Sequence, residues 1–530
     1  MASRIPKAMQ PPLFDLGQPT SSPSLKSRFR SWLKEQFVQA RLDSPLGHLL
    51  LMALAFGIAY VVGTGGLSYG VGLAGAAILL PIFTGTLFHL RFGVFAMLTG
   101  AFFLMGIKRF LPDLPLGLYV DISLAMLLFG LFIKQIERRD WSFAYHPLSL
   151  GILIWAAYSF LELLNPWAVS RMAWLYTIRS TAGHWFLFFV GLYVFTQRKY
   201  LRHLMTTWFV LTSVGGVYAL YQAFQGFASG EWSWIMADTN RFDDIFNGGL
   251  YRAFSFFADP AICGIVMGFS FLMALILLLT HPLQKRKKWP LIAGAVVMFM
   301  AMIVSGTRTA YLMIPLGLVF WAAISRRKIA FLVTGGYALL LLGSSLIPTA
   351  NPYLLRWQSA LRPTASTSVQ IRLQNQRYIR PFIQNHPFGN GLGSTGSPGR
   401  RFSPEELLSQ FPPDSGYVRI GVEMGWVGLL LFCGLMGLIL WTGTRAYFRM
   451  RSTTAAPYYE ALLAAIFTLI IAHYPQPTIN QLPVSLFFFL GLALLVNMEK
   501  MKWEPARTQA GLRLEKDGFL PPDSTEPSDS

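Results

Sequence analysis

Arginine is the residue type in this sequence whose pattern most clearly indicates ligand binding, and it is concentrated in the polar stretch of residues 348–421. That stretch holds eight arginines against three acidic residues, which gives it a net charge of +5. A guanidinium group binds phosphate through two parallel hydrogen bonds, a geometry that an ammonium group does not offer. The stretch therefore predicts an anionic ligand, although arginines spread through a loop can also serve only to keep it solvated.

Within this stretch, the sequence predicts a helix over residues 367–385, which Pro381 should kink or end early. Helical spacing places Arg372, Gln376 and Arg380 on one face, where they can hold an anion. A purely structural amphipathic helix has the same pattern. Three apolar residues are expected to pack on another face: Ile371, Tyr378 and Phe382.

A glycine-rich turn at residues 389–393 follows the predicted helix. Such glycines let backbone amides approach a phosphate, but a turn of this kind does not specify a ligand by itself. His386 precedes a proline at the start of the turn, and fixing the shape of the loop is the simpler role for it. We retain His386 as a candidate for substrate binding.

The composition of the whole chain identifies the solvent that surrounds these residues. Of 530 residues, 53% are apolar and only 13% are charged, and the mean hydropathy is +0.45. Typical globular proteins have about 25% charged residues, so an ordinary soluble protein is excluded. The two cysteines, Cys263 and Cys433, lie in apolar runs and form no disulfide framework. The sequence predicts an all-α, polytopic membrane helix bundle.

Apolar stretches long enough to cross a bilayer recur along the chain, and they divide it into domains. The predicted domains are a basic cytoplasmic tail (1–44), a transmembrane bundle (45–347) with an outer loop (225–260), the arginine-rich outer loop (348–421), C-terminal transmembrane helices (422–498) and a polar cytoplasmic tail (499–530). About fourteen spans are predicted, near residues 45–63, 69–89, 92–107, 117–133, 147–164, 184–197, 204–224, 261–280, 290–305, 309–324, 329–347, 422–442, 457–474 and 482–498.

The distribution of basic residues gives this arrangement an orientation. Of the 44 lysines and arginines, 29 fall in segments assigned to the cytoplasmic side and 15 outside, as expected for short cytoplasmic loops. Lys108 is the single lysine among those fifteen, so arginine is preferred on the outer side. In a membrane protein the net charge of +19 is explained first by orientation, and no nucleic-acid partner is expected.

Several local sequences, in this order, resemble the bacterial O-antigen ligase and polysaccharide polymerase superfamily over roughly residues 200–440. They are YRAFSFFADP at residues 251–260, SGTR at 305–308, Arg372 followed by NHPFGNGLG at 385–393, and DSGY at 414–417 leading into EMGWVG at 423–428. The earlier helices are similar only in being apolar.

The resemblance implies a glycosyltransferase of the inner membrane with its active site on the outer face. The even number of predicted spans places both termini on the cytoplasmic side. Arginines would bind the diphosphate of a polyprenyl-diphosphate-linked oligosaccharide donor while an acceptor hydroxyl attacks the sugar, without a metal or other cofactor. Preorganised positive charge would stabilise the leaving diphosphate. Besides the bilayer, the implied partners are the donor, a glycan acceptor, a flippase and a chain-length regulator.

Convergence of Arg252, Arg308 and Arg372 on the outer side is the central structural expectation. Arg252 and Arg372 are the catalytic candidates, and Arg308 is a candidate for substrate binding together with Arg380 and Gln376. Two of these residues have simpler alternative roles. Arg252 can reach lipid headgroups, and Arg308 can solvate a turn.

At residue 414 the sequence departs from the ligase branch, in which a histidine is the proposed base. Asp414 can still accept a proton from an acceptor hydroxyl if its carboxyl is ionised, or it can simply cap the following helix. Tyr417, one helical turn later, is a candidate for stacking on a sugar or an interfacial anchor. The departure argues against lipid A core as the acceptor.

These observations favour a polymerase that joins repeat units into an exopolysaccharide or O-antigen. A ligase that transfers the finished glycan to lipid A core or another acceptor is the alternative, and a polysaccharide or lipid transporter is a further one. Transporters place charged or helix-breaking features near the middle of the membrane, whereas these arginines lie at its boundary. Metal-dependent relatives resemble one another in having acids in the first outer loop, and none occurs at residues 64–68.

Overall fold

The computed structural model describes residues 45–111, 116–247, 249–361, 367–412 and 414–505. The predicted tail 1–44, most of the predicted tail 499–530 and Arg362 lie outside the described residues. The chain divides into two compact units, residues 1–80 and residues 81–530. Everything below except the bounds of the first helix concerns the second unit.

Helices dominate the described residues, and one short hairpin joins them. The first helices are α1 (Pro45–Phe88), α2 (Leu90–Phe110), α3 (Leu118–Arg138), α4 (Pro147–Leu161), α5 (Arg171–Thr181), α6 (Leu187–Val194), α7 (Arg198–Gln225), α8 (Ser229–Met236), α9 (Thr239–Ile245) and α10 (Pro260–Thr280). The antiparallel hairpin of β1 (Phe246–Asn247) and β2 (Leu250–Tyr251) lies between α9 and α10. The remaining helices are α11 (Lys285–Val304), α12 (Arg308–Ser325), α13 (Lys328–Ser345), α14 (Pro352–Ser359), α15 (Thr367–Asn385), α16 (Gly396–Phe402), α17 (Gly416–Met450), α18 (Ala456–Ala472) and α19 (Val484–Lys500).

Nine helical segments of the described chain are long and apolar enough to cross a membrane. They are α2, α3, α4 with the 3₁₀ turn that follows it, α7, α10, α11, α12, α13 and α17. The prediction of an all-α polytopic membrane protein is confirmed. Most of these helices begin and end within a few residues of the predicted spans, because long apolar runs flanked by basic residues mark the ends of a span.

The predicted division of the first helices is wrong. The spans expected at 45–63 and 69–89 belong to one continuous helix, α1, so residues 64–68 form no loop. Residues 64–68 include Gly65 and Gly66, but glycine costs only about 1 kcal/mol in a helix and does not end one by itself. The argument from an acid-free first outer loop therefore no longer applies. The span predicted at 184–197 is also shorter, because α6 has only 8 residues after a 3₁₀ turn.

Helix α10 lies at the centre of the bundle, with 78% of its most apolar window buried, and it packs against α7, α11, α12 and α18. Asp259 caps its N-terminus by accepting a hydrogen bond from the Ile262 N–H, 2.8 Å away, and Pro260 follows at the first helical position. Because lipid is as apolar as the side chains, contact between such helices depends on close packing. Gly216 of α7 provides it, since an added Cβ would lie 2.8 Å from Val297 Cγ1 of α11.

A buried carboxylate within the bundle is fully paired. Glu460 of α18 accepts hydrogen bonds from Trp321 Nε1 at 2.8 Å, Arg327 Nη2 at 2.9 Å and the Tyr447 hydroxyl at 2.9 Å. An ionisable group inside a membrane protein is usually paired in this way because its desolvation is costly. The cluster joins α12, α17 and α18 at the end of the bundle that lies away from Arg308.

Where the structure describes them, the two long polar stretches are folded. Residues 225–260 contain α8, α9 and the hairpin, and residues 348–421 contain α14, α15, α16 and a 3₁₀ turn at Leu407–Gln410. The prediction of a helix over 367–385 is confirmed to the residue, and Pro381 does not end it early. The other helices of these stretches are short and were not predicted, because fewer than ten residues give too little periodicity.

Helix α17 changes direction at Gly425, where φ is +69° and ψ is −175°. This conformation brings the backbone of α17 against the segment after α15. An added Cβ at Gly425 would overlap the Pro387 carbonyl and come within 2.6 Å of the Gly389 nitrogen. Only glycine accommodates both the positive φ and the close approach.

Gly425→Ala should therefore lower the free energy of unfolding by roughly 2–4 kcal/mol, from backbone strain and from overpacking against the segment after α15. The check is the thermal unfolding midpoint of the detergent-solubilised protein. Gly434→Ala in the same helix is the matched control, because its added Cβ meets no atom within 4 Å. An unchanged midpoint in Gly425→Ala would contradict the proposed tight contact.

Candidate functional site

A buried polar network fixes the segment 251–259, which holds Arg252. Arg109, at the end of α2, contacts Glu231 at 3.3 Å and donates to the carbonyls of Ser255 and Phe257. Gln222 donates to Glu231 at 2.8 Å and accepts from the Ser255 N–H at 2.7 Å. Because buried polar groups lose water and must pair with each other, this network gives the segment one defined path.

Arg252 uses all three of its side-chain nitrogens on the protein itself. Nε donates to the Ser305 carbonyl at 3.0 Å, Nη1 to the Asp244 carbonyl at 2.8 Å and Nη2 to Thr307 Oγ1 at 3.2 Å. Burial lowers the pKa of Arg252, and the carboxylate of Asp259 opposes that shift. Arg252 thus joins the hairpin to the turn at residues 305–307.

Arg356 of α14 approaches the same turn from the other side, with Nε donating to the Gly306 carbonyl at 2.6 Å. An added Cβ at Gly306 would lie 3.1 Å from Arg356 Cδ and 3.4 Å from Arg252 Cγ. Burial, and then the positive charges of Arg252 and Arg308, lower the pKa of Arg356 to about 10. Three guanidinium groups therefore lie close enough to repel one another, which favours an anion beside them.

We call Arg252, Arg308 and Arg356 the arginine cluster. A cavity of about 620 Å³ lies beside it, between α12, α14, α15, α17 and α18. Arg308 and Arg372 both line it, and Arg308 Nε donates to Ser359 Oγ at 2.8 Å. The remaining lining is largely apolar and includes Leu312, Met313, Leu316, Ile470 and Ile471. The cavity thus combines cationic groups with an apolar wall.

Helix α15 turns Arg372 and Gln376 toward this cavity. Gln376 Oε1 accepts a hydrogen bond from the Tyr474 hydroxyl at 3.0 Å, and Tyr474 lines the cavity. Arg380, predicted on the same face, is exposed, and no described contact brings it to the cavity. Only the first half of α15 therefore lies beside the cavity.

The packing face predicted for α15 is wrong for two of its three residues, and Phe382 alone packs as expected. Ile371 is 50% and Tyr378 is 69% exposed, whereas Ile379 is 2% exposed and packs with Phe411 and Val422. Phe382 and Ile383 complete that apolar contact. The buried stripe is shifted by about one residue, because the position of a partner helix cannot be read from a single amphipathic pattern.

Asp414 lies next to Arg372, with its Oδ2 3.8 Å from Arg372 Nε. It is not the cap of α17, because Ser415 occupies that position and its Oγ accepts from the Val418 N–H at 3.4 Å. Burial raises the pKa of Asp414, and the charge of Arg372 acts in the opposite direction. The capping alternative is thereby removed, and the carboxylate is available beside a guanidinium.

Asp244 is a further carboxylate that sequence reasoning missed. Burial raises its pKa, and the neighbouring negative charges of Asp259 and Asp414 raise it further, while Arg252 lowers it. Asp244 therefore lies within electrostatic range of both the arginine cluster and Asp414. It precedes a two-residue strand and matches no sequence pattern that would have selected it.

Two predicted binding residues have other contacts. The Tyr417 hydroxyl donates to the Ile470 carbonyl at 3.1 Å, and its ring packs edge-on against Phe432 while lining part of the cavity. The His386 ring stacks on Phe382 with centroids 4.0 Å apart, and it does not line the cavity. The structure brings Tyr417 to the site and leaves His386 beside α15.

The glycine-rich turn is held by a carboxylate. Glu423 accepts from the Gly393 N–H at 3.0 Å, from Thr395 Oγ1 at 2.6 Å and from Arg419 Nε at 2.9 Å. The Asn390 N–H donates to the Val422 carbonyl at 2.9 Å. These amides are engaged within the protein, so the turn supports the connection between α15 and α17 and offers these groups to no phosphate.

Comparison with known protein families gives a match to part of the chain. Residues 293–433 match the family model described as O-antigen ligase. Over these residues the chain is similar to the O-antigen ligase and polymerase superfamily. No curated protein matches the chain significantly.

The O-antigen ligase match includes most of the candidate site. Arg308, Arg356, Arg372 and Asp414 all fall within residues 293–433, and Arg252 lies before them. The family supports a ligase-type or polymerase-type transfer of glycans and a multi-pass membrane protein. Sequence reasoning missed Arg356, although Asn351-Pro352 is a helix-start pattern that could have placed it on a helix facing the turn.

Arg252→Lys should lower the free energy of unfolding by about 1–3 kcal/mol, because an ammonium group cannot reach the three acceptors that the guanidinium joins. Arg372→Lys is the control, since its partly exposed ion pair contributes at most about 1 kcal/mol. Thermal unfolding of both purified variants measures the difference. Equal stability of the two would show that Arg252 does not hold the turn at 305–307.

Proposed function

We propose that this protein is an inner-membrane polymerase that joins polyprenyl-diphosphate-linked oligosaccharide repeat units into a surface polysaccharide, without a metal. The observation that supports this proposal most strongly is the cavity in which Arg308 and Arg372 meet an apolar wall. A lipid-linked donor has the matching chemistry, because its diphosphate is anionic and its polyprenyl chain is apolar.

In the proposed reaction, the acceptor hydroxyl oxygen forms a bond with the anomeric carbon as the bond from that carbon to the diphosphate oxygen breaks. The diphosphate leaves with the bonding electron pair, and Arg308 and Arg372 stabilise the added negative charge. Asp414 accepts the hydroxyl proton and later releases it to water. Arg252 and Arg356 do not contact the donor in this proposal; they hold the turn that precedes Arg308.

The apolar wall of the cavity belongs to the spanning helix α12 and to α18, a shorter apolar helix. A donor whose chain lies along these helices can remain in the bilayer while its diphosphate reaches the arginines. The preference for arginine over lysine in the segments assigned outside supports placing this site on the outer face of the inner membrane. A flippase to deliver the donor and a chain-length regulator are the expected partners.

A ligase is the second candidate function, because the matched family is described as O-antigen ligase. The two functions differ in product. Purified protein given a polyprenyl-diphosphate repeat unit alone should produce a ladder of lengthened lipid-linked glycans if it is a polymerase. A single product that forms only when a separate acceptor is added would favour the ligase and overturn the polymerase.

Arg372→Lys should reduce turnover by roughly 10- to 100-fold, because a point charge does not reproduce a two-pronged contact with the diphosphate. The measurement is the initial rate of product formation in proteoliposomes. Arg377→Lys is the matched control, since Arg377 lies on an exposed face of the same helix and does not line the cavity. Wild-type turnover in a correctly inserted Arg372→Lys protein would remove the proposed role.

Asp414 must be ionised to accept a proton, and burial raises its pKa. The transfer rate should therefore fall on acidification, and the midpoint of this fall should lie at a pH above about 3.9, the pKa of an exposed aspartate. Arg372 lowers the pKa of Asp414, so Arg372→Gln should move the acidic limb of the pH–rate profile to higher pH.

The pH–rate profile of Arg377→Gln should keep its acidic limb at the wild-type pH, because Arg377 is exposed and forms no ion pair with Asp414 among the described residues. If Asp414→Asn transfers glycans at the wild-type rate, with an unchanged profile, Asp414 is not the base.

A further inference from the structure

A second cavity, of about 970 Å³, lies at the end of the bundle opposite the arginine cluster. It is formed by the first half of α7, the end of α10, the beginning of α11 and one residue of α18. Helix α11 runs between the two ends of the bundle. It begins beside this cavity and ends at Val304, directly before the turn that leads to Arg308. The proposed polymerase does not use this cavity.

The mouth of the second cavity is basic. Arg202, Arg286 and Lys287 line it, and no acidic residue does. All three side chains are exposed, and the ion pairs found among the described residues include none of them. Three positive charges around one opening, without a carboxylate, favour an anionic ligand.

Two polar side chains stand at the same opening. The ring of His281 packs at a tilt against that of Tyr458, with centroids 4.7 Å apart, and His281 Nε2 lies 3.1 Å from the Tyr458 hydroxyl. Burial lowers the pKa of His281, and the positive charges of Arg202 and Lys287 lower it further. At neutral pH the imidazole is therefore uncharged, and the positive charge at the opening comes from the arginines and the lysine.

Away from its mouth, the cavity wall is apolar and faces outward from the bundle. Val210 and Val214 of α7 are 56% and 45% exposed, and Leu291 and Val297 of α11 line the opposite side. Both helices are long and apolar enough to span a membrane. This part of the cavity therefore opens sideways to the hydrocarbon of the bilayer, and an alkyl chain fits it better than water does.

We propose that this cavity is a binding site for an anionic phospholipid, with the headgroup phosphate between Arg202, Arg286 and Lys287 and an acyl chain along α7 and α11. Basic pockets between spanning helices bind anionic lipid headgroups through the same combination of charge and apolar surface. The volume is at the upper end of the range of roughly 300–1,000 Å³ found for small-molecule sites. A bound lipid would join the helices that lead to the arginine cluster.

Basic residues near the ends of spanning helices are common, so the test must separate this cavity from general surface charge. Lys199, Lys285 and Lys288 provide the comparison. They lie at the beginning of the same two helices and do not line the cavity. Neutralising either set of three removes the same charge from the same end of the molecule.

The experiment titrates the purified full-length protein with dioleoyl-phosphatidylglycerol and measures bound lipid by native mass spectrometry. Dioleoyl-phosphatidylcholine has the same chains without the net negative charge. We expect phosphatidylglycerol to bind at least tenfold more tightly. At about 1 kcal/mol for each of the three basic residues, the triple variant R202Q/R286Q/K287Q should weaken its binding roughly 100-fold.

The triple variant K199Q/K285Q/K288Q should bind phosphatidylglycerol within about twofold of the wild type, because these residues lie outside the cavity. If both triple variants weaken binding equally, the effect is one of general charge and the proposal is overturned. Tighter binding of a polyprenyl monophosphate than of phosphatidylglycerol would identify another lipid as the occupant and overturn it too. Glycerol 3-phosphate should not compete, and competition by it would indicate a site for free phosphate.

A second variant tests the apolar part without changing charge. Ala293 of α11 lines the cavity, and Ala293→Trp should fill it and weaken phosphatidylglycerol binding at least tenfold. Val296 of the same helix is 52% exposed outside the cavity, so Val296→Trp should have no effect. Wild-type binding by a monodisperse Ala293→Trp protein would overturn the proposal, even if the charge variants fail to fold.

Discussion

The contact of two guanidinium groups with the turn at residues 305–307 is the interaction on which the arginine cluster depends. Gly306 has φ of +62° and no Cβ, so Arg252 and Arg356 pack on both sides of it and donate to backbone carbonyls and to Thr307. Carbonyl dipoles offset part of the repulsion between the cations. Arg308 follows directly, and its position in the first turn of α12 is thereby fixed at the cavity.

The second constraint is that the connection between α15 and α17 must be rigid. Glu423 binds the glycine-rich turn, and Gly425 allows the backbones of the two segments to touch. Together these contacts hold α15 across the cavity, so that Arg372 lies beside Asp414 on a different segment. A partly exposed ion pair of this length contributes little stability. Its geometry is therefore imposed by the surrounding packing, which places a carboxylate next to a guanidinium group.

The two ends of the bundle use different cations with different surroundings. In the arginine cluster, guanidinium groups are half-buried and hydrogen-bonded to the protein, which suits a fixed, multidentate contact with one ligand. At the second cavity, exposed arginine and lysine side chains surround an opening to the hydrocarbon, which suits exchange with lipids of the bilayer. Helix α11 extends from the second cavity to the turn that precedes Arg308, so its packing against α7 and α10 affects the surroundings of both sites.

Periodicity and composition determined the all-α membrane architecture, most span boundaries and helix α15, because these features depend on consecutive residues. The resemblance to the O-antigen ligase and polymerase superfamily selected Arg308, Arg372 and Asp414, because short motifs contain them. Only the tertiary structure decided which groups meet. It placed Arg356 beside Gly306, and it packed Ile379 rather than Ile371 against the neighbours of α15. It also made Ser415 the cap of α17 and connected α15 to α17 through the glycine-rich turn. Such contacts join residues far apart in the chain, and helical periodicity contains no information about which neighbour a face will find.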